Sequence, residues 1–208
     1  VALGRVEILT SATLVGLDVR PADGKVYGLA PDGAIVTVDV KTGAWEKVSQ
    51  LSEALPAGLS VAVDFNPVAD RMRVIAGNGL NLRVNVADGK ATVDGRLKYA
   101  ATDASMSRTP MVTAAGYTNS MAGAKETTLY DVDAAAGTLL KQAPPNDGVL
   151  NAVGKLGVAL SGPLAFDIAS DGMGLIEQPT EIFTQYSFKT EIPVASVRSP
   201  MHMVEAAR

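Results

Sequence analysis

The chain has 208 residues and a formal charge of −4, from 18 Lys and Arg against 22 Asp and Glu, and it carries no basic run that could track a phosphate backbone. With 47% apolar and 19% charged residues it can bury a sizeable core, which excludes wholesale disorder and suits one domain over residues 1–208. The absence of cysteine removes disulfides, thiolate metal sites and cysteine nucleophiles.

In chain order, a strand-like Arg5–Leu9 comes first. Next is Leu17-Asp18-Val19-Arg20-Pro21, whose proline cannot donate to a ladder and so stops the strand. Strand patterns follow at Lys25–Leu29 and Trp45–Ser49, separated by Val38-Asp39-Val40-Lys41-Thr42-Gly43, an apolar alternation that ends in a turn closed by glycine. Gln50–Leu55 carries a helical hint. A second unit repeats the order: Val63-Asp64-Phe65-Asn66-Pro67, then Arg71–Ala76, then Val84-Asn85-Val86-Ala87-Asp88-Gly89, then Ala91–Leu97. Further on stand Ala115-Gly116-Tyr117-Thr118-Asn119, Val132-Asp133-Ala134-Ala135-Ala136-Gly137 and Phe166-Asp167-Ile168-Ala169-Ser170. The glycines Gly43, Gly89 and Gly137 lie 46 and then 48 residues apart.

Strand-and-turn units at a period of about 45–50 residues predict an all-β, β-propeller-like fold. Four full four-stranded blades fill Leu14 to Val197, and a partial fifth is closed by Arg5–Leu9 and the C-terminal strand Met201–Val204. The apolar runs fall well short of the roughly 20 residues that cross a bilayer. That length, with a start at Val1 rather than Met, leads to the expectation of an exported chain without a membrane span, placed in the periplasm, at the cell surface or outside the cell.

Several of these blocks also resemble the DUF4394 family of bacterial proteins. The matching stretches are Gly16–Pro21, Val26–Leu29, Val63–Pro67 with Asp70–Val74, Asn81–Asn85 and Gly116–Asn119. The resemblance implies a propeller-like fold and export, and it implies no particular activity.

Two groups of side chains are candidates for a ligand site. Asp18, Asp64 and Asp167, with Asn119, are expected at equivalent strand ends, where successive blades of a propeller converge on the axis and could hold a hard cation. The competing reading is that each bonds its own backbone and shapes a corner. Arg71, Arg73 and Arg83, with Asn66, Asn78, Asn81 and Asn85, form a polar stretch suited to a carboxylate or sugar rim, or to pairing with Asp64, Asp70 or Asp94 between blades. The ligand set taken forward is Asp64, Asn66, Arg73, Asn81, Arg83 and Asn119.

Met201, His202 and Met203 combine thioether and imidazole, donors that suit copper. Strand geometry opposes that set, because it places the two methionines on one face and the histidine on the other. Signatures of serine hydrolases, zinc proteases and phosphate loops are missing. The functional expectation is an exported binding or interaction module of the cell envelope that takes an envelope or surface protein, or a small ligand. The alternatives are a copper-dependent oxidoreductase of superoxide-dismutase type and a structural subunit of a surface assembly, which leaves an oligomer open.

Overall fold

The proline corners and glycine turns cut the chain into short alternating strands, and the structure, a computed structural model, shows them pairing with their sequence neighbours. It describes residues 14–160 and 164–168. The first sheet holds β1 (Gly16–Val19), β2 (Val26–Leu29), β3 (Ala34–Val38) and β4 (Trp45–Gln50) as an antiparallel meander. The second holds β5 (Val61–Asn66), β6 (Arg71–Ala76), β7 (Asn81–Val84) and β8 (Ala91–Val93) in the same order. The third runs β10 (Val112–Tyr117), β11 (Leu129–Asp133), β12 (Thr138–Gln142), β13 (Val149–Lys155), and a short β9 (Lys98–Tyr99) pairs in parallel with β13 at its far edge.

Among the described residues there is no α-helix, only a 3-10 turn at Pro145–Asp147. The helical hint at Gln50–Leu55 is not realised: Gln50 ends β4 and Leu51 drops into the core, held by its N–H to the Gly33 carbonyl at 2.8 Å. The strand expected over Ala91–Leu97 stops at Val93, where the side chain of Asp94 turns to two arginines. No helix of the described residues is long and apolar enough to cross a membrane.

Of the four full blades expected, the described residues carry three sheets, of four, four and five strands. Arg5–Leu9 and Met201–Val204, the strands of the fifth, lie outside the described residues.

Gly43 and Gly89 close equivalent hairpins, β3–β4 and β7–β8, at φ of 74° and 73°, a conformation that favours glycine. Gly137, at φ 58°, closes a different one, β11–β12. The third copy of the turn is therefore out of phase with the other two. The same chemistry, a strand-end Asp bonding the N–H groups ahead of it, serves any hairpin.

Alternation along each strand splits the side chains between two cores. On β6, Met72 and Val74 face the first sheet, where they join Tyr27, Leu29 and Phe65, and Phe65 meets the Tyr27 ring edge-on at 5.4 Å. Ile75 faces the third sheet and packs with Ala62, Tyr117, Leu129 and Leu140. Arg73 shares that second face. Burying a side chain the size of Phe65 contributes about 2–3 kcal/mol.

The inner strands lie side by side and point the same way. The Phe65 N–H reaches the Asp18 carboxylate and the Tyr117 N–H reaches Asp64, so β1, β5 and β10 follow in sequence, and Gly116 faces Phe166 and Ile168 of the next segment. Close approach requires the small residue here. A Cβ on Gly16 would sit 2.5 Å from Val63 Cγ2, and one on Gly116 would sit 3.3 Å from the Phe166 ring. On the outward side of β1, Leu17 is 51% exposed, whereas its counterparts Val63 and Ala115 are 8% and 4% exposed.

Candidate functional site

Parallel inner segments bring the strand-end acids together. Asp18 Oδ2 accepts the Phe65 N–H at 2.7 Å, and its Oδ1 accepts that of Val19 at 2.6 Å. Asp64, buried, accepts the Tyr117 N–H at 3.0 Å. Asp167 repeats half of the Asp18 pattern, accepting from its neighbour Ile168 at 2.6 Å. Each bond to a following strand ties two sheets, and the three acids remain within electrostatic reach of one another.

Burial outweighs these bonds. It pushes the Asp18 carboxyl up to about 7, with the Asp167 charge adding to the shift and the Phe65 N–H opposing it. Burial first, then the charges of Asp18 and Asp167, hold the Asp64 carboxyl well above the usual carboxylate range. Asp167 keeps an exposed side, yet desolvation still raises its carboxyl. Asn119 does not join them. The residue in register with Asp18 and Asp64 is Gly116, while Asn119 stands three residues further on at φ 56° and donates to the Glu126 carbonyl at 3.1 Å.

The polar stretch of the second sheet forms a buried network against the third. Arg73 donates from Nε to the Tyr117 hydroxyl at 3.1 Å, from Nη1 to Asn81 Oδ1 at 2.8 Å and Asp94 Oδ2 at 2.7 Å, and from Nη2 to Asn146 Oδ1 at 3.0 Å. Arg83 grips both oxygens of Asp94 at 2.8 Å. Asn81 also donates to the Gly95 and Pro145 carbonyls at 3.0 Å. Sharing one carboxylate between two guanidinium groups neutralises part of the charge that burial would penalise.

Asn66 caps its own corner, accepting from Val68 at 2.9 Å and Ala69 at 2.8 Å, and Asn78 accepts from Leu80 at 3.1 Å. Arg71 donates to the Asp70 carbonyl at 2.8 Å, while Asp70 itself pairs with Arg20 of the first sheet. Thus Arg73, Asn81 and Arg83 come together with Asp64 on one face of the second sheet, and Asn66 and Asn119 serve separate turns. Met201, His202 and Met203 lie outside the described residues. Among the described residues no three His, Asp or Glu side chains are placed to hold a metal ion.

Sequence reasoning passed over Tyr117 and Asn146, the third-sheet partners of Arg73, and also Asp131. Asp131 is fully buried on β11, and burial pushes its carboxyl up to about 8 against the pull of Arg73. Alternation through Tyr130-Asp131-Val132-Asp133 reads the aspartates as the outward phase, so the burial of Asp131 had no local signal.

Solved structures with some likeness include an auxiliary nutrient binding protein from Bacteroides thetaiotaomicron, 14% identical at a TM-score of 0.42, covering 63% of this chain and 34% of that one. The Malassezia sympodialis allergen Mala s 1 is 15% identical at a TM-score of 0.40, covering 69% and 42%. The computationally designed Ika4 protein is 15% identical at 0.40, covering 72% and 76%. A short stretch is similar to curated probable transaldolases: 57% identity over 42 residues to that of Syntrophobacter fumaroxidans, 20% of this chain and 19% of that protein. For Rhizorhabdus wittichii the figures are 47% over 58 residues, 26% and 27%. The chain thus spans between about a fifth and a quarter of the length of these relatives, too little to bring their activity with it. The family likeness covers far more, since residues 2–191 match the domain of unknown function DUF4394, and the chain belongs to that family.

Proposed function

We propose that this chain is a binding or interaction module of the cell envelope, its sheets the blades of a propeller whose inner strands gather Asp18, Asp64 and Asp167 around the axis. The convergence of those three carboxyls from three of the four inner segments, with Gly116 in the place between Asp64 and Asp167, carries the reading. Exposed Leu17, whose counterparts are covered by a preceding sheet, supports a further blade on the open side of β1.

The other polar candidates support a structural role instead, because Arg73, Asn81 and Arg83 are occupied by bonds within the second sheet and to the third. Carboxyls that burial holds toward the neutral acid can both donate and accept hydrogen bonds. They suit a small ligand rich in hydroxyl or amine groups.

Calorimetric titration with a panel of sugars, amino acids and polyamines tests the reading, using Asp18→Asn and Asp64→Asn. Asparagine keeps an acceptor for the Phe65 or Tyr117 N–H while removing the acid. A ligand of this class should bind the parent chain and lose about tenfold or more in each variant, at a melting temperature no lower than that of the parent. No binding across the panel, or binding indifferent to both substitutions, overturns the site. Fractionation of source cells tests the envelope placement, and finding the protein in the cytosol would refute it.

A further inference from the structure

Three buried acceptors among the described residues have no hydrogen-bond partner: Asp131 Oδ1, Asp131 Oδ2 and Gln142 Oε1. They are neighbours. Asp131 pairs with Leu140 and Gln142 with Leu129, so the two side chains stand diagonally on one face of β11 and β12. Leu129 and Leu140 on that face pack with Ala62 and Ile75, which turns it toward the second sheet.

Opposite stands Arg73, close enough for its charge to act on Asp131 but hydrogen-bonded elsewhere. The other charged and titratable groups on this interface are Asp64 of β5, Arg83 of β7, Asp94 beyond β8, Tyr117 of β10, and Tyr99 of β9 bonded to Asp133 of β11 at 2.6 Å. β12 contributes Gln142 and no charge, and Lys155 of β13, paired with Thr138, is engaged by the Ala136 carbonyl at 2.7 Å.

A carboxylate here has no donor to meet, and desolvating it without one is the costliest arrangement of a polar group. As the neutral acid the same side chain loses its charge and gains an O–H, the donor that Gln142 Oε1 lacks. One proton removes the charge and answers two of the three orphaned atoms, one Asp131 oxygen and Gln142 Oε1. We infer that Asp131 is a proton-gated latch between the second and third sheets, seated as the neutral acid and released as the carboxylate. On release the carboxylate competes with Asp94 for Arg73, and the guanidinium that ties Asn81 and Asn146 is drawn away from them.

The linkage has a definite sign. Because the folded chain retains a proton that the unfolded chain gives up near its ordinary value of 3.8, stability falls as pH rises from about 4 and levels off above about 8, where both states are ionised. The slope is at most about tenfold in the folding equilibrium per pH unit for this one proton.

Two measurements on the full chain test the latch. Infrared spectra in deuterated buffer at pH 6 should show the carbonyl stretch of protonated carboxylic acids, and Asp131→Asn should remove the Asp131 share of it while the share of Asp18 and Asp64 stays. Urea unfolding between pH 5 and 8 should fall less steeply for Asp131→Asn than for the parent, by up to about tenfold per pH unit. If Asp131→Asn does not fold, Asp131→Leu replaces it in both experiments, and failure of both variants to fold at pH 6 counts against a neutral seat. An unchanged infrared band, or parallel pH dependence in parent and variant, overturns the proposal.

Discussion

Arg73→Met is the substitution that separates a tie between sheets from a ligand rim. Methionine fills much of the same space but leaves the Tyr117 hydroxyl, Asn81 Oδ1 and Asn146 Oδ1 without the guanidinium that serves them at 2.8–3.1 Å. Breaking a buried ion pair by removing one partner costs about 3–5 kcal/mol. Asp94 keeps Arg83 on both oxygens, which places the cost near the lower end, about 3 kcal/mol. For a domain of this size that is a fall in melting temperature of about 6–12 °C. Arg83→Met is the matched control. Its side chain is 36% exposed, so its loss should cost only about 1 kcal/mol. Thermal and urea unfolding followed by circular dichroism measures both. Arg73→Met within about 1 kcal/mol of the parent, or Arg83→Met the more damaging of the two, would refute the assignment of Arg73 as the interior tie.

The raised carboxyls Asp18, Asp64 and Asp131 make the fold proton-hungry, so stability should decline from about pH 4 to pH 8, and a urea midpoint that rises over that window contradicts their burial. Gly89→Ala should cost more than about 3 kcal/mol in unfolding experiments, since its φ is 73° and a Cβ would collide with the Gln50 carbonyl. Gly24→Ala, at φ 67° with open space around it, should cost about 1 kcal/mol, and equal losses at the two sites would show that contact is irrelevant. Gly116→Asp restores the acid of the other inner strands, crowds the Phe166 ring and adds a fourth carboxyl to the row, so its destabilisation should grow between pH 5 and pH 8.

What could be read from the sequence was local. The span Arg71–Ala76 alternates through Val74 and runs on apolar to Ala76, between a proline corner and a glycine, and it appears as β6 with those bounds. The glycines at 43 and 89 announced their hairpins because positive φ leaves few alternatives. Phase was harder. Val132–Gly137 looks like the earlier turns because turn chemistry does not record which hairpin it closes, and Asn119 falls beyond the end of β10, outside the register position that Gly116 occupies. The Arg73 network was half legible. Asp94 could be named as a partner for the arginines, whereas Asn146 arrives from 73 residues away and leaves no mark on the local pattern.

The short parallel strand β9 has a consequence for the order of assembly. Lys98 and Tyr99 leave the second sheet and take their place beside Val149 and Leu150, which belong to the last strand of the third. As the chain emerges during synthesis, the first two sheets can each close on strands already made. The segment at 98–99 must wait, its ladder groups unanswered, until the whole third sheet has followed it. The join between second and third sheets is therefore stitched from both sides of the inner strand β10, and a nascent chain halted before Val149 would hold two finished sheets and a loose end.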